Sequence, residues 1–161
     1  MLKLLIVEDE KKIRELLKIY FLRENYKVSE AENGRIALEM MKEETFDIVL
    51  LDIYMPELDG FDTCREIRKT SNIPVVILTA LSDDESQLLA YETGADDFII
   101  KPFKKDILLA KIRRISERIS VNRHSYKFGG LEIDKDSYRV LVDSKEIKFA
   151  PKEFEILLYL I

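Results

Sequence analysis

The sequence predicts an α/β protein: a doubly wound, five-stranded parallel sheet, followed by a small antiparallel β platform and one helix. Two observations carry this. Apolar strand-like runs alternate with amphipathic stripes from residue 4 to residue 119. Five such βα units in series build a parallel sheet covered on both faces. Past residue 125 the pattern changes to short alternating segments broken by turn-forming pairs, which is how antiparallel hairpins are written.

Each element has a local reason. Leu4-Leu5-Ile6-Val7 reads as a buried strand. Ile13, Leu16, Leu17 and Tyr20 then recur at i, i+3, i+4, i+7, which marks a helix with one apolar face. Tyr26-Lys27-Val28 is a short strand, Asn33-Gly34 a turn, and Ile36, Ala37, Met40 and Met41 the apolar side of a second helix. Ile48-Val49-Leu50-Leu51 is the third strand. The loop from Met55 to Gly60 leads into a third helix through Phe61, Cys64 and Ile67. Val75-Val76-Ile77-Leu78 follows Pro74. A fourth helix through Leu88, Leu89 and Glu92 stops at Gly94, a C-cap residue. Phe98-Ile99-Ile100 is the fifth strand, and Leu108, Ile112, Ile115 and Ile119 form one long helical stripe.

Near Ser120 the chain turns polar, and Val121 to Ser125 reads as a linker. Three strand segments are expected after it, Phe128 to Ile133, Tyr138 to Val142 and Ile147 to Phe149, with turns at Asp134-Lys135-Asp136 and Asp143-Ser144. Pro151 suits the first position of a helix that carries Phe154, Leu157, Leu158 and Ile161. The expected organisation is thus 1–118, a linker at 119–125, and 126–161. The last piece has 36 residues, fewer than the roughly 40 at which a domain buries enough core to stand alone. A C-terminal remainder is therefore expected.

Bulk properties exclude several classes. The 161 residues are 47% hydrophobic and 35% charged, which is globular composition. A net charge of −5 offers no basic footprint for nucleic acid. No apolar run approaches the ~20 residues that span a membrane. A single cysteine, Cys64, makes no intrachain disulfide. The expectation is a cytoplasmic protein without membrane contact.

The chemistry lies where the apolar runs end. The first ends in Glu8-Asp9, the third in Asp52, the fourth in Thr79 and the fifth in Lys101. Ligands of open parallel sheets bind at the carboxyl ends of the strands, so these residues share one edge. Three carboxylates in one pocket repel one another unless one holds a proton or a cation joins them. An all-oxygen donor set favours Mg²⁺. An Asp carboxylate can also attack a phosphoryl group, and phosphoryl transfer needs mainly alignment and cationic stabilisation. Asp52, at the centre of the sheet, is assigned as nucleophile. Glu8 and Asp9 hold the metal, Lys101 supplies charge, and Thr79 donates a hydrogen bond.

Four segments together resemble the receiver domain of bacterial two-component response regulators, a flavodoxin-like fold. They are Val7-Glu8-Asp9-Glu10, Asp52 to Gly60, Leu78-Thr79-Ala80, and Gly94 to Phe103. The resemblance implies that Asp52 accepts phosphate from a sensor histidine kinase. It implies Mg²⁺ held by Asp9, Asp52 and the backbone carbonyl of Tyr54, with Glu8 acting through water. It implies Lys101 on the phosphoryl oxygens, a cis Lys101-Pro102 bond, and a switch pair of Thr79 and Phe98. The family position of Phe98 is more often Tyr, so the hydroxyl is missing here.

The tail resembles the opening of an OmpR/PhoB-type winged-helix effector domain, through Phe128 to Asp134 and Lys148 to Leu160. In that family the recognition helix and wing come later. Residues 124–161 hold six Lys/Arg and seven Asp/Glu, a net of −1. The resemblance therefore implies promoter DNA as partner of the full-length protein, but not of this 161-residue chain.

It also implies homodimerisation through the fourth helix, fifth strand and fifth helix. Leu88, Tyr91 and Ala110 would form the apolar centre of that face, and Glu92, Asp96, Asp97, Lys111, Arg113 and Arg118 its ion pairs. Gln87 and Ile107 replace the usual basic and acidic partners of one cross-chain pair, so a more apolar contact is expected at Ile107. Such a pair contributes about 1 kcal/mol or less, so its loss weakens discrimination more than affinity. The resulting expectation is a transcription regulator that assists its own phosphorylation and is not an enzyme. An aspartyl-phosphate phosphatase fits poorly, because Tyr54 stands where it needs a second Asp. A flavodoxin-like FMN carrier would want a Gly-rich phosphate loop in place of Glu8-Asp9-Glu10. An output-less phosphate sink leaves residues 126–161 unexplained.

Overall fold

The computed structural model describes residues 1–80, 84–135 and 137–160, without the side chains of 85, 86 and 121–125. Asp136 and Ile161 lie outside the described residues. The chain divides into two compact units, Met1–Ser116 and Glu117–Ile161.

The first unit alternates strand and helix as the sequence requires: β1 (Lys3–Val7), α1 (Lys11–Arg23), β2 (Lys27–Ala31), α2 (Gly34–Glu43), β3 (Ile48–Asp52), α3 (Gly60–Thr70), β4 (Val75–Thr79), α4 (Asp84–Glu92) and β5 (Asp97–Ile100). Helix α5 (Lys105–His124) begins in this unit and ends in the second. All five strands are parallel, in the order β2-β1-β3-β4-β5. The order reverses between β1 and β3, which creates a topological switch point beside the central strand.

The apolar runs are continuous because both faces of the sheet are covered. Leu5, Val7, Val49, Leu51, Val75 and Ile77 belong to one core with Ala37 of α2, Cys64 and Ile67 of α3 and Ala90 of α4. The alternate residues Leu4, Ile6, Ile48, Leu50, Val76 and Leu78 point to the other face and are equally buried. Asn33 caps α2 by accepting from Ile36 N, and Asp59 caps α3 by accepting from Asp62 N. After α4, Gly94 N–H donates to Tyr91 O at 2.9 Å.

The second unit pairs β6 (Ser125–Phe128), β7 (Leu131–Asp134), β8 (Arg139–Val142) and β9 (Lys145–Ile147) in one antiparallel sheet, followed by α6 (Pro151–Tyr159). Ile133, Val140 and Phe154 form its small core. Here two strand segments differ from the sequence reading: the one expected at Ile147 to Phe149 is Lys145–Ile147. The run Phe128 to Ile133 is two strands, because the chain reverses at Gly129-Gly130 and pairs Phe128 with Leu131. Residues 119–124, expected as part of a linker, are helical and end α5; they contain neither Gly nor Pro to stop a helix already under way.

Candidate functional site

Asp52 is the last residue of the central strand, paired in register with Leu78 of β4. Glu8 follows β1 and is tied to β2 by its N–H to Ala31 O, 3.1 Å. Lys101 follows β5, its N–H donating to Thr79 O at 2.7 Å, and its peptide bond to Pro102 is cis. The strand ends thus deliver side chains from both sides of the switch point to one place. The Lys101 ammonium donates to Glu8 Oε2 at 2.8 Å and to Asp52 Oδ1 at 3.1 Å. Glu8 and Asp52 are almost fully buried, while Asp9 is exposed. Carboxylate oxygens of all three acids lie within 4.8 Å of one another.

Gly60 closes the loop beneath this cluster. A Cβ there would come within 2.2 Å of Asp52 O and 2.7 Å of Ile53 Cα, so only glycine lets α3 begin against the strand end. Gly60 N–H donates to Ile53 O at 2.8 Å. Within the same loop Glu57 sits at φ 69, a left-handed conformation that costs a non-glycine residue about 1–2 kcal/mol.

The electrostatics follow from three acids and one base in little solvent. Burial pushes the Asp52 carboxyl above its ordinary range, against the opposing pull of Lys101, and the charge of Asp9 adds to the rise. Burial does the same to Glu8, again opposed by Lys101 and reinforced by Asp52. Burial alone would lower Lys101, but bonds to Glu8 and Asp52 outweigh it and leave the ammonium held above its usual value. The pocket therefore stores unfavourable negative charge that one further cation would relieve. Its all-oxygen donors fit a hard divalent ion.

Thr79 ends β4 and is buried. Phe98 on β5 is half-buried, edge-on to Tyr91 at 5.4 Å between centroids, with Lys111 Nζ 5.5 Å from its ring. Tyr54, two residues beyond β3, keeps its ring largely in solvent. Leu88, Tyr91, Ala110 and Ile107 are all exposed. The charged residues expected around them make pairs within the chain: Asp96 with Arg68 at 2.9 Å, Asp97 with Lys111 at 3.1 Å and Arg113 with Glu24 at 3.2 Å. Glu92 is exposed. Arg118 is also exposed, on the part of α5 that belongs to the second unit.

Two features escaped sequence reasoning. Glu8 bonds directly to Lys101, and no spacing rule links residues 93 positions apart. Arg14 reaches back to the carbonyls of Glu8 and Asp9; its position on the first turns of a helix was the only available hint.

Comparison with known proteins decides the family. Residues 4–113 match the family model described as the response regulator receiver domain. The chain belongs to the response regulators. Its branch is the OmpR/PhoB type. The chain is 40% identical to the transcriptional regulatory protein ResD of Bacillus subtilis, over 98% of this chain and 70% of that protein. It is 36% identical to the transcriptional regulatory protein SrrA of Staphylococcus aureus, over 98% and 69%. The solved structure of the Thermotoga maritima OmpR/PhoB homologue DrrB superposes with a TM-score of 0.68 at 40% identity, covering 99% of this chain and 72% of DrrB. The chain is thus a two-component response regulator of transcription, a phosphoacceptor and not a classical enzyme. Its acidic pocket is of the kind in which receivers hold a divalent cation. Among the described residues no helix is long and apolar enough to cross a membrane.

Proposed function

We propose that Asp52 accepts a phosphoryl group from a sensor histidine kinase in a Mg²⁺-dependent reaction. The observation that carries this is the Lys101 ammonium bonded to both Glu8 and Asp52 at the switch point. An Asp52 carboxylate oxygen attacks phosphorus, the bond from phosphorus to the donor breaks, and the electron pair leaves with the donor. Lys101 transfers its contact from Asp52 Oδ1 to the oxygens of the arriving phosphoryl group. The Thr79 hydroxyl, at the end of the neighbouring strand, donates to the same group. Glu8, Asp9, Asp52 and the Tyr54 carbonyl would hold Mg²⁺, which when bound offsets charge on the phosphoryl oxygens.

Movement of Thr79 toward the phosphate frees space beside β5, and the Phe98 ring turns inward to fill it. That exchange reshapes the face bearing Leu88, Tyr91, Ile107 and Ala110, through which the protein forms a homodimer. Asp96, Asp97, Lys111 and Arg113 exchange pairs within the chain for pairs across it. Promoter DNA is the further partner, and the dimer controls that output.

Incubation with acetyl phosphate and Mg²⁺, read by intact mass, tests the reading. A gain of one phosphoryl group that is absent from Asp52→Ala supports it. A wild-type protein that gains nothing, or an Asp52→Ala variant that gains as much, refutes it.

A further inference from the structure

We infer that Arg14 is a positioning residue for the acidic site: its guanidinium fixes the Glu8-Asp9 turn so that both carboxylates meet Asp52. This rests on the Mg²⁺-dependent reading above. Arg14 Nη1 donates to Glu8 O at 2.7 Å and to Asp9 O at 3.2 Å. These carbonyls precede α1, and the Arg14 N–H donates to O of its N-cap residue Glu10 at 3.0 Å. The Arg14 side chain is only 14% exposed, and Glu30 of β2 faces it from behind, Oε1 to Nε 3.6 Å. Glu30 is in turn held by Lys18 at 2.7 Å.

The turn is thereby gripped from two sides. Glu8 N–H is anchored to Ala31 O of β2, and both carbonyls are anchored to one guanidinium. With its backbone fixed, the turn offers its carboxylates to the space shared with Asp52. An ordinary helix-surface pair would place the arginine head in water and add little. Here the head group is half-buried and spends its donors on the backbone of the two acids. It also brings positive charge to a turn that carries three consecutive acids, Glu8, Asp9 and Glu10. A lysine offers a single point charge and no planar fork, so it reproduces only part of this grip.

Groups that orient the residues around a metal typically change affinity by ten- to hundredfold when removed. The test is calorimetric titration of the full chain with Mg²⁺, alongside acetyl-phosphate labelling at graded Mg²⁺, for wild type, Arg14→Gln, Arg14→Lys and Glu30→Gln. Arg14→Gln is expected to weaken Mg²⁺ binding about tenfold or more. It should raise the half-saturating Mg²⁺ for labelling while the rate at saturation stays near wild type, since Asp52, Lys101 and Thr79 are untouched. Arg14→Lys should recover part of the loss, and Glu30→Gln should show a smaller one. Wild-type affinity in Arg14→Gln overturns the Arg14 assignment and leaves the site reading intact. A wild type that binds no Mg²⁺ overturns both. Should Arg14→Gln lose cooperative unfolding, Arg14→Lys and Glu30→Gln decide, and wild-type affinity in both is the refuting result.

Discussion

The two edges of the parallel sheet treat charge in opposite ways. At the amino edge, between β4 and β5, Arg68 donates to Gly94 O at 2.7 Å, Ile73 O at 2.6 Å and Asp96 Oδ2 at 2.9 Å. Asp96 Oδ2 also accepts from Val75 N–H at 2.9 Å. One cation meets one anion, and the remaining donors meet carbonyls at loop ends. At the carboxyl edge Glu8, Asp9 and Asp52 share one ammonium, and burial pushes two of the three carboxyls upward. The first arrangement fastens loops; the second leaves three acids to share one ammonium. The difference separates charge used for stability from charge kept available for chemistry.

The largest effect expected from breaking this contrast is at Lys101. Lys101→Met leaves Glu8 and Asp52 buried without their shared cation, and removing one partner of such a cluster costs about 3 kcal/mol. Urea denaturation should show that loss at neutral pH and a smaller one in mild acid, where the two carboxyls take up protons. Acetyl-phosphate labelling should fall as well. Arg68→Ala sharpens the contrast from the other side. It removes three hydrogen bonds to carbonyls, the one to Ser71 O long at 3.4 Å, at roughly 1 kcal/mol or less each, plus a partly exposed ion pair, for a loss of about 2–3 kcal/mol. Its labelling rate at Asp52 should stay at the wild-type value, and a tenfold fall would show that the two edges are coupled. The smallest effect lies in the loop under the site. Glu57→Gly relieves the left-handed backbone at φ 69 but adds freedom to the unfolded chain, so the net gain is a few tenths to about 1 kcal/mol. Thermal denaturation checks it, and a loss would mean that the Arg35 pair at 3.4 Å outweighs the strain.

Much of the carboxyl edge was legible in the sequence because strands end where alternation and apolar runs end. Glu8, Asp52, Thr79 and Lys101 could each be placed at a strand terminus, and a parallel sheet collects such termini on one side. The parts that escaped are those in which a side chain answers to backbone or to a distant partner. Arg14 bonds to carbonyls, which no residue pattern encodes. Glu8 bonds to Lys101 across the full width from β1 to β5. Asp96 and Asp97 carry the right charge for an intermolecular face, yet each finds a cation in its own chain. In the second unit Phe128 to Ile133 reads as one strand only if Gly129-Gly130 is passed over; that pair, with Gly129 at φ 58, is the turn that makes it a hairpin.

The carboxyl edge gives up stability to keep negative charge unbalanced. Because the folded-state values of Glu8 and Asp52 lie above their ordinary ones, the stability linked to these groups is present below the usual carboxylate range. It is lost as pH rises through the raised values. Replacing Asp52 by its neutral isostere removes one of those charges while Glu8 keeps Lys101. The direct measurement is therefore the thermal midpoint of Asp52→Asn against wild type, at neutral pH without divalent cations, with acetyl-phosphate labelling of the same samples when Mg²⁺ is restored. A higher midpoint with no labelling is the predicted result. A lower midpoint, or labelling at the wild-type level, contradicts the account.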